Sequence, residues 1–83
     1  MSTPILYIED AKYIENHKIY LKFNDGKENI LDFQDFIFNS QHPDIQKYKD
    51  INRFKDFHLD HGDIEWNDYE LAFPVYDLYR NKI

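Results

Sequence analysis

Four residues in the C-terminal part of the chain combine types and spacing that could do chemistry: His58, Asp60, His61 and Asp63. Imidazole and carboxylate groups are ligands that zinc and other transition metals accept. If His58 and Asp60 share one strand face, His61 and Asp63 could fold over them from the following turn. The same residues also suit a polar strand face that runs into an ordinary Asp-His-Gly-Asp turn. A metal site and a plain turn therefore both remain open.

Other catalytic arrangements find little support in the sequence. The chain has no cysteine, which excludes a thiolate nucleophile, a thiolate zinc site and a disulfide. Its two glycines, Gly26 and Gly62, are too few for a phosphate-binding loop. His17 and His42 fall in predicted turns, where we expect them to be solvated. We predict no enzyme and no cofactor, with a metal-dependent enzyme using His58, Asp60 and His61 as the alternative.

The charge balance points to one class of partner and away from another. The net charge is −6, from 16 acidic residues against 10 Lys and Arg. Contacts with phosphate groups would be opposed by this field, so nucleic acid is not the expected partner. A small basic protein would instead be attracted. Acidic charge also keeps a domain soluble without any partner, and this simpler reading stays open.

Aromatic residues are unusually frequent and supply the candidate binding residues. Seven Phe, seven Tyr and one Trp make up 18% of the chain. Trp66 alternates with Ile64 and is predicted to lie in the core. Several tyrosines should be half exposed, as is typical of protein interfaces: Tyr7, Tyr13, Tyr20, Tyr69 and Tyr76. The candidate protein-binding residues are Tyr20, Lys22, Tyr69 and Tyr76.

The element that organises the chain is a hairpin followed by a helix start, Ile19 to Phe33. Ile19, Leu21 and Phe23 alternate with polar neighbours, which predicts a half-buried strand. Asp25-Gly26 suits the tight turn, and the return strand lies near positions 27–31, with either Ile30 or Leu31 facing the core. Asp32 is the predicted helix N-cap. Ahead of this hairpin, residues 5–8 predict a first strand, which positions 11–16 continue irregularly.

The remaining elements are short. Phe33, Phe36 and Ile37 predict a helix of about two turns, and residues 39–44 form a loop. Ile45 and Tyr48 suggest a helical turn, Asp50 caps a helix over 51–55, and residues 57–60 pair with a strand containing Ile64 and Trp66. The last predicted elements are an extended segment over 69–72 and a helix in which Pro74 occupies the first position.

These elements predict one α+β domain over residues 1–83: an antiparallel sheet of about four or five strands with two or three short helices against one face. The chain shows neither a signal-peptide pattern nor an apolar run of the ~20 residues that span a membrane. We therefore expect a soluble protein, and the lack of cysteine fits the cytoplasm.

The order of these residues resembles the bacterial domain of unknown function 2442 family over nearly the whole chain. The resemblance is carried by Ile19-x-Leu21-x-Phe23-x-Asp25-Gly26, Asp32-Phe33, Tyr48-x-Asp50-x-x-x-Phe54-x-x-Phe57-x-Leu59-Asp60, Gly62-x-Ile64-x-Trp66 and Leu78-Tyr79. That family usually has Pro after the Trp and Gly soon after, where this chain has Asn67, Asp68 and Tyr69. The resemblance implies a compact α+β fold and an antitoxin-like or regulatory binding module, because many members are encoded beside a small putative toxin.

Three functions follow as expectations. The leading one is a non-enzymatic protein-binding module, the acidic partner of a small basic, toxin-like protein. The second is a self-associating structural domain that forms a homodimer through a sheet edge or a tyrosine patch. The third is the metal-dependent enzyme named above.

Overall fold

In the computed structural model, which describes residues 5–83, the first half of the chain forms a three-stranded antiparallel sheet. Its strands are β1 (Ile8–Glu15), β2 (Lys18–Phe23) and β3 (Glu28–Asp32), in that order across the sheet. The predicted alternation of β2 is confirmed, because Ile19, Leu21 and Phe23 are fully buried. In β3 it is Leu31 that faces the core, while Ile30 lies on the outer face.

β1 begins three residues later than the predicted first strand. The backbone at Ile5 and Tyr7 is bonded to Asn24, the residue that follows β2, instead of pairing as a strand. Asn24 donates from Nδ2 to the Ile5 carbonyl at 2.9 Å, and its Oδ1 accepts from the Tyr7 N–H at 3.0 Å. From Ile8 onward β1 pairs with β2, with one irregularity on each side of the regular stretch between Asp10 and Tyr13. Extra residues at these irregularities account for its uneven alternation.

Short helices connect the two halves of the chain: α1 (Gln34–Asn39), α2 (Pro43–Gln46), a 3-10 turn (Lys47–Lys49) and α3 (Ile51–Phe54). The predicted cap of α3 is confirmed, since the Asp50 carboxylate accepts from the Asn52 N–H at 3.0 Å. The predicted cap of α1 is one residue early. Phe33 occupies the cap position, and Asp32, the last residue of β3, accepts from the Gln34 N–H at 3.0 Å.

The second half forms another three-stranded antiparallel sheet and a final helix. Its elements are β4 (Phe57–Asp60), β5 (Asp63–Trp66), β6 (Leu71–Ala72) and α4 (Val75–Tyr79). Pro74 precedes α4 with an extended backbone instead of filling its first position. Asn29 of β3 caps the C-terminal end of this helix, because its Nδ2 donates to the carbonyls of Leu78 and Tyr79.

The α+β class is confirmed, but the prediction of one sheet is wrong. Residues 5–83 contain six strands in two sheets and four α-helices. Sequence alternation identifies strands one at a time, whereas backbone pairing between strands decides which sheet each one joins. β3 pairs with β2, and the chain then passes through three helices before β4 starts a new sheet with β5.

Trp66 lies in the core, as predicted, and this core is shared by both sheets. Its side chain is fully buried, and its Nε1–H donates to the Phe54 carbonyl at 2.5 Å. The rings that surround it come from the segment between β3 and β4, from β4 itself and from the residue after β6: Phe33, Tyr48, Phe54, Phe57 and Phe73. The indole contributes both a large apolar area and a satisfied polar group to this core.

A backbone contact also joins the sheets directly. The Ile8 N–H at the start of β1 donates to the Gly62 carbonyl in the β4–β5 turn at 2.8 Å. A Cβ at Gly62 would overlap the Cβ of Tyr7, and the glycine has a φ of 85°. Both observations require glycine at this position. Within residues 5–83, no helix has the length and apolar character needed to cross a membrane.

Candidate protein-binding surface

The β5–β6 connection has an unusual backbone that determines what the second sheet presents. Asn67, Asp68 and Tyr69 have φ values of 51°, 56° and 66°, so three consecutive residues adopt the left-handed conformation. This conformation costs about 1–2 kcal/mol for most L-residues, although Asn and Asp tolerate it better. The turn leads from β5 into β6, which pairs antiparallel with β5, and Tyr69 lies within this turn.

Tyr69 is held against the outer face of the second sheet by two hydrogen bonds. Its N–H donates to Glu65 Oε2 at 2.8 Å, and its hydroxyl donates to Asp60 Oδ2 at 2.9 Å. The bond to the Asp60 carboxylate raises the pKa of the Tyr69 phenol to about 12. Glu65 is thereby covered and only 6% exposed, whereas 45% of Tyr69 stays exposed. The ring is a fixed, accessible aromatic surface.

Glu70 anchors the other side of the same turn. Its Oε1 accepts from the Tyr48 hydroxyl at 2.8 Å and from Asn67 Nδ2 at 3.2 Å, and it forms an ion pair with Lys47. The bond from the Lys47 ammonium, followed by those from Tyr48 and Asn67, lowers the pKa of the Glu70 carboxyl to about 2. Glu70 therefore ties the left-handed turn to the 3-10 turn.

The outer face of the second sheet is acidic. We define the acidic outer face as the outward residues of β4 and β5 together with the tyrosine that lies on them: His58, Asp60, Asp63, Glu65 and Tyr69. Asp60 and Asp63 are direct partners across the two strands, an arrangement of like charges that disfavours the sheet. Among residues 5–83, no Lys or Arg nitrogen lies within 4.0 Å of the carboxylates of Asp60, Asp63 or Glu65.

This face owes its charge to an uneven distribution along the chain. Residues 56–83 carry seven acidic residues against two basic ones, a net charge of −5, whereas residues 1–55 carry nine against eight, a net charge of −1. No Lys or Arg occurs between positions 56 and 79. Nearly all of the net charge of −6 therefore belongs to residues 56–83, the segment that contains the second sheet and α4.

The predicted metal ligands do not converge. His58 Nε2 lies 3.9 Å from Asp56 Oδ1, whereas His61 Nδ1 lies 2.9 Å from Asp60 Oδ1 on a side chain that is 92% exposed. In the part of the chain that the structure describes, no three His, Asp or Glu side chains come together in a way that could hold a metal ion. The interpretation as an ordinary turn fits this geometry, with His61 in the left-handed conformation at a φ of 52°.

The four predicted binding residues lie on three different surfaces. Tyr20 and Lys22 share the outer face of the first sheet, where the Tyr20 hydroxyl donates to Glu28 Oε1 at 2.5 Å and this bond raises its pKa to about 12. Tyr69 lies on the acidic outer face. Tyr76 is on α4, beside a groove of about 290 Å³ whose wall includes Leu6 and Tyr79.

A separate depression of about 380 Å³ lies beside the left-handed turn. Its walls include Lys47, Arg53, His58 and the edge of Trp66. The two cations are already engaged, Lys47 with Glu70 and Arg53 with Asp50 at 3.9 Å. The geometry gives this depression no concentration of one charge sign, in contrast to the acidic outer face.

One sequence prediction about histidine is wrong. His17 was expected to be solvated, but it is 3% exposed and its Nε2 lies 2.9 Å from the Tyr48 carbonyl oxygen. Its ring contacts Phe54 and Phe38, with centroid distances of 4.7 Å and 5.3 Å. The turn residues around it gave no signal of this burial, because the covering rings come from helices far along the chain. His42 is exposed, as predicted.

Sequence reasoning also missed the roles of Glu65 and Glu70. Alternation with Ile64 and Trp66 places Glu65 on the outer face, but only the folded turn shows that Tyr69 covers it. Glu70 depends on Tyr48 and Lys47, more than 20 positions earlier. The absence of Lys and Arg over positions 56–79 was the visible signal for the acidic outer face.

A family model described as "Protein of unknown function (DUF2442)" matches residues 8–83, which is nearly the whole chain. Neither the curated proteins nor the solved structures contain a match to the chain.

Proposed function

The chain belongs to the DUF2442 family, and we propose that it is a non-enzymatic protein-binding module whose acidic outer face docks a small basic protein. The observation that carries this proposal is the combination of carboxylates that no Lys or Arg of residues 5–83 neutralises with a fixed, half-exposed aromatic ring. Asp60 and Asp63 face each other without a Lys or Arg neighbour among the described residues, and Tyr69 lies beside them.

The charges specify the kind of partner. Lys or Arg side chains of a partner would relieve the repulsion between Asp60 and Asp63, so the pairing that disfavours the free sheet would favour the complex. The Tyr69 ring offers a face for an arginine guanidinium, an interaction worth about 0.5–1 kcal/mol at exposed sites. A nucleic acid would meet this surface with phosphates of the same sign as its carboxylates.

Binding to the acidic outer face should be strongest for a partner whose surface brings several positive charges together. Electrostatic attraction mainly increases the rate of association and weakens as salt rises. An antitoxin-like role, in which this domain neutralises a basic protein that is toxic alone, is the most specific form of the proposal. A cytoplasmic complex is consistent with a chain that has no cysteine.

The test is recovery of the tagged domain from its native cells, followed by binding measurements with whatever small basic protein it retains. We expect the double substitution Asp60→Asn with Asp63→Asn to lower the affinity at least about tenfold, through loss of charge pairs. The matched control is Asp35→Asn with Asp44→Asn, which removes the same charge from exposed helical positions.

Equal losses in the two double variants would contradict the proposed surface, because net charge alone would then explain binding. Recovery of the domain without a basic protein at every salt concentration would contradict the proposed partner. For the antitoxin-like role, co-expression of the recovered protein with the domain should restore growth, and co-expression with Asp60→Asn, Asp63→Asn should not.

A further inference from the structure

We propose that the outer face of the first sheet binds a second copy of this chain across a two-fold axis. The surface concerned is the β2–β3 strip, defined by the outward residues of the two strands: Lys18, Tyr20, Lys22, Glu28, Ile30 and Asp32. It does not include any residue of the acidic outer face, so the proposal stands independently of the proposed function.

The strip has a regular pattern of charge. Cross-strand pairing places Lys22 opposite Glu28, Tyr20 opposite Ile30, and Lys18 opposite Asp32. β2 therefore presents the series positive, aromatic, positive, and β3 presents negative, aliphatic, negative. The two series are equal in length and opposite in sign, with apolar residues at the middle of both.

Charged and apolar groups of the strip also remain available for contact with a second molecule. Among residues 5–83, neither Lys18 nor Lys22 has a carboxylate oxygen within 4.0 Å. Ile30 is 58% exposed, and it borders a depression of about 380 Å³ that Tyr20 and Asn81 also line. Isolated exposed aliphatic residues are common, but this one lies at the centre of a patterned sheet face.

A two-fold axis that runs parallel to the strands, between β2 and β3, makes the strip complementary to itself. Rotation about this axis lays β2 of one copy over β3 of the other, row by row. Lys22 then faces Glu28 of the second copy, Lys18 faces Asp32, and Tyr20 faces Ile30. Each contact occurs twice, which is the property of an isologous interface.

The geometry of packed sheets permits this arrangement. Sheets that pack face to face keep their strand directions within about 30° of each other, and they lie about 10 Å apart. The contacts between Tyr20 and Ile30 at the middle of the interface would have ion pairs on both sides. Interfaces with an apolar core and a polar rim have this arrangement.

The distribution of charge over the molecule favours a second copy as the occupant. The strip carries Lys18 and Lys22 against Glu28 and Asp32, a net charge of zero, so two copies that meet through it do not repel each other there. A strongly basic partner, by contrast, would meet Lys18 and Lys22 in the middle of the strip.

Sedimentation of the full chain, over about 1 μM to about 1 mM, the concentration range of weak complexes, tests the proposal. We expect the mass to rise from 10.2 kDa toward twice that value. Lys18→Glu with Lys22→Glu should give a monomer, and so should Glu28→Lys with Asp32→Lys. Equimolar mixing of these two double variants should restore the dimer, because each strand then again faces the opposite sign.

Ile30→Glu provides a second test that needs only one change, and we expect it to weaken the dimer at least about tenfold by placing a charge at the apolar centre. Its matched control is Ile14→Glu, which alters an exposed isoleucine on β1, outside the strip. Circular dichroism confirms folding of each variant. The proposal would be overturned if the natural chain stayed monomeric at every concentration. It would also be overturned if the Ile30→Glu variant dimerised as well as the natural chain, or if mixing the two double variants did not restore the dimer.

Discussion

His17 illustrates at the residue scale how a polar side chain can be structural. It follows Asn16, which has a φ of 50°, in the connection between β1 and β2, and its ring reaches the helical segment at Tyr48 and Phe54. The sequence showed a histidine in a turn, and a turn alone predicts exposure. Trp66 was predicted correctly because its burial follows from strand alternation, whereas the burial of His17 depends on rings that are distant in sequence.

Replacement of His17 by Phe is expected to destabilise the protein by about 1–3 kcal/mol. The aromatic contacts would be kept, but the buried Tyr48 carbonyl would lose its hydrogen-bond partner. Urea denaturation measures this difference. His58→Phe, at an exposed strand position, is the control and should change the free energy of unfolding by less than about 0.5 kcal/mol. Equal effects would show that the Tyr48 bond contributes nothing.

Glu70 gives a prediction about pH. Its pKa in the folded protein is about 2, below the ordinary value of 4.5, so the folded state binds its proton more weakly than the unfolded state. The stabilising contribution is therefore complete above about pH 5 and is lost as the pH falls toward 2. Denaturation at a series of pH values should show a shallower loss of stability in this window for Glu70→Gln than for the natural protein.

The control for Glu70 is Glu9→Gln, at an exposed position of β1. This variant should lose stability with falling pH as steeply as the natural protein does. If Glu70→Gln also follows the natural curve between pH 5 and 2, the contacts of Glu70 with Lys47, Tyr48 and Asn67 do not favour its charged form.

At the scale of elements, local patterns predicted β2, β4, β5 and α3, because alternation or a capping residue identifies each within a few positions. The start of β1 at Ile8, the division into two sheets and the left-handed turn were not predictable in this way. The turn depends on Glu65 and Glu70, whose partners are bound only when the chain has folded. The same holds for the site: the tyrosines were identified, but their distribution over three surfaces was not.

The left-handed turn predicts opposite results for two substitutions at position 67. Asn67→Pro should destabilise the protein by more than about 1 kcal/mol, because proline requires a φ near −65° and the native φ is 51°. Asn67→Gly permits the native φ and loses only the bond to Glu70, so the change should stay below about 1 kcal/mol. Thermal unfolding of both variants gives the comparison.

If Asn67→Pro is as stable as Asn67→Gly, the connection between β5 and β6 adopts another conformation. This result would also bear on the family pattern, in which proline usually follows the tryptophan. In this chain a proline at position 67 is incompatible with the turn that places Tyr69 on the acidic outer face.

At the scale of the whole molecule, the two sheets depend on one core. Residues buried in β2, β3, α3, β5 and α4 form a single cluster, and the Ile8–Gly62 bond joins the sheets at their edge. Small domains with one core usually unfold in a single cooperative transition. The sequence predicted most of the residues in this cluster, but it did not predict how the two sheets are arranged around them.

We therefore expect the fluorescence of Trp66, in the second sheet, to report the same unfolding curve as backbone circular dichroism, which reports both sheets. Coincident midpoints in urea would support one cooperative unit. A fluorescence change at a lower urea concentration than the loss of circular dichroism would show that the second sheet unfolds separately, contrary to the shared core.

The uneven charge also gives the molecule a permanent electric dipole, with its negative end at the second sheet. Such a molecule does not meet a cationic surface in random orientations; it turns its negative end toward that surface. On an anion-exchange support the protein should thus be held by residues 56–83, which carry −5 of the net charge of −6. The β2–β3 strip, whose two lysines and two acidic residues cancel in charge, would contribute nothing net to this adsorption.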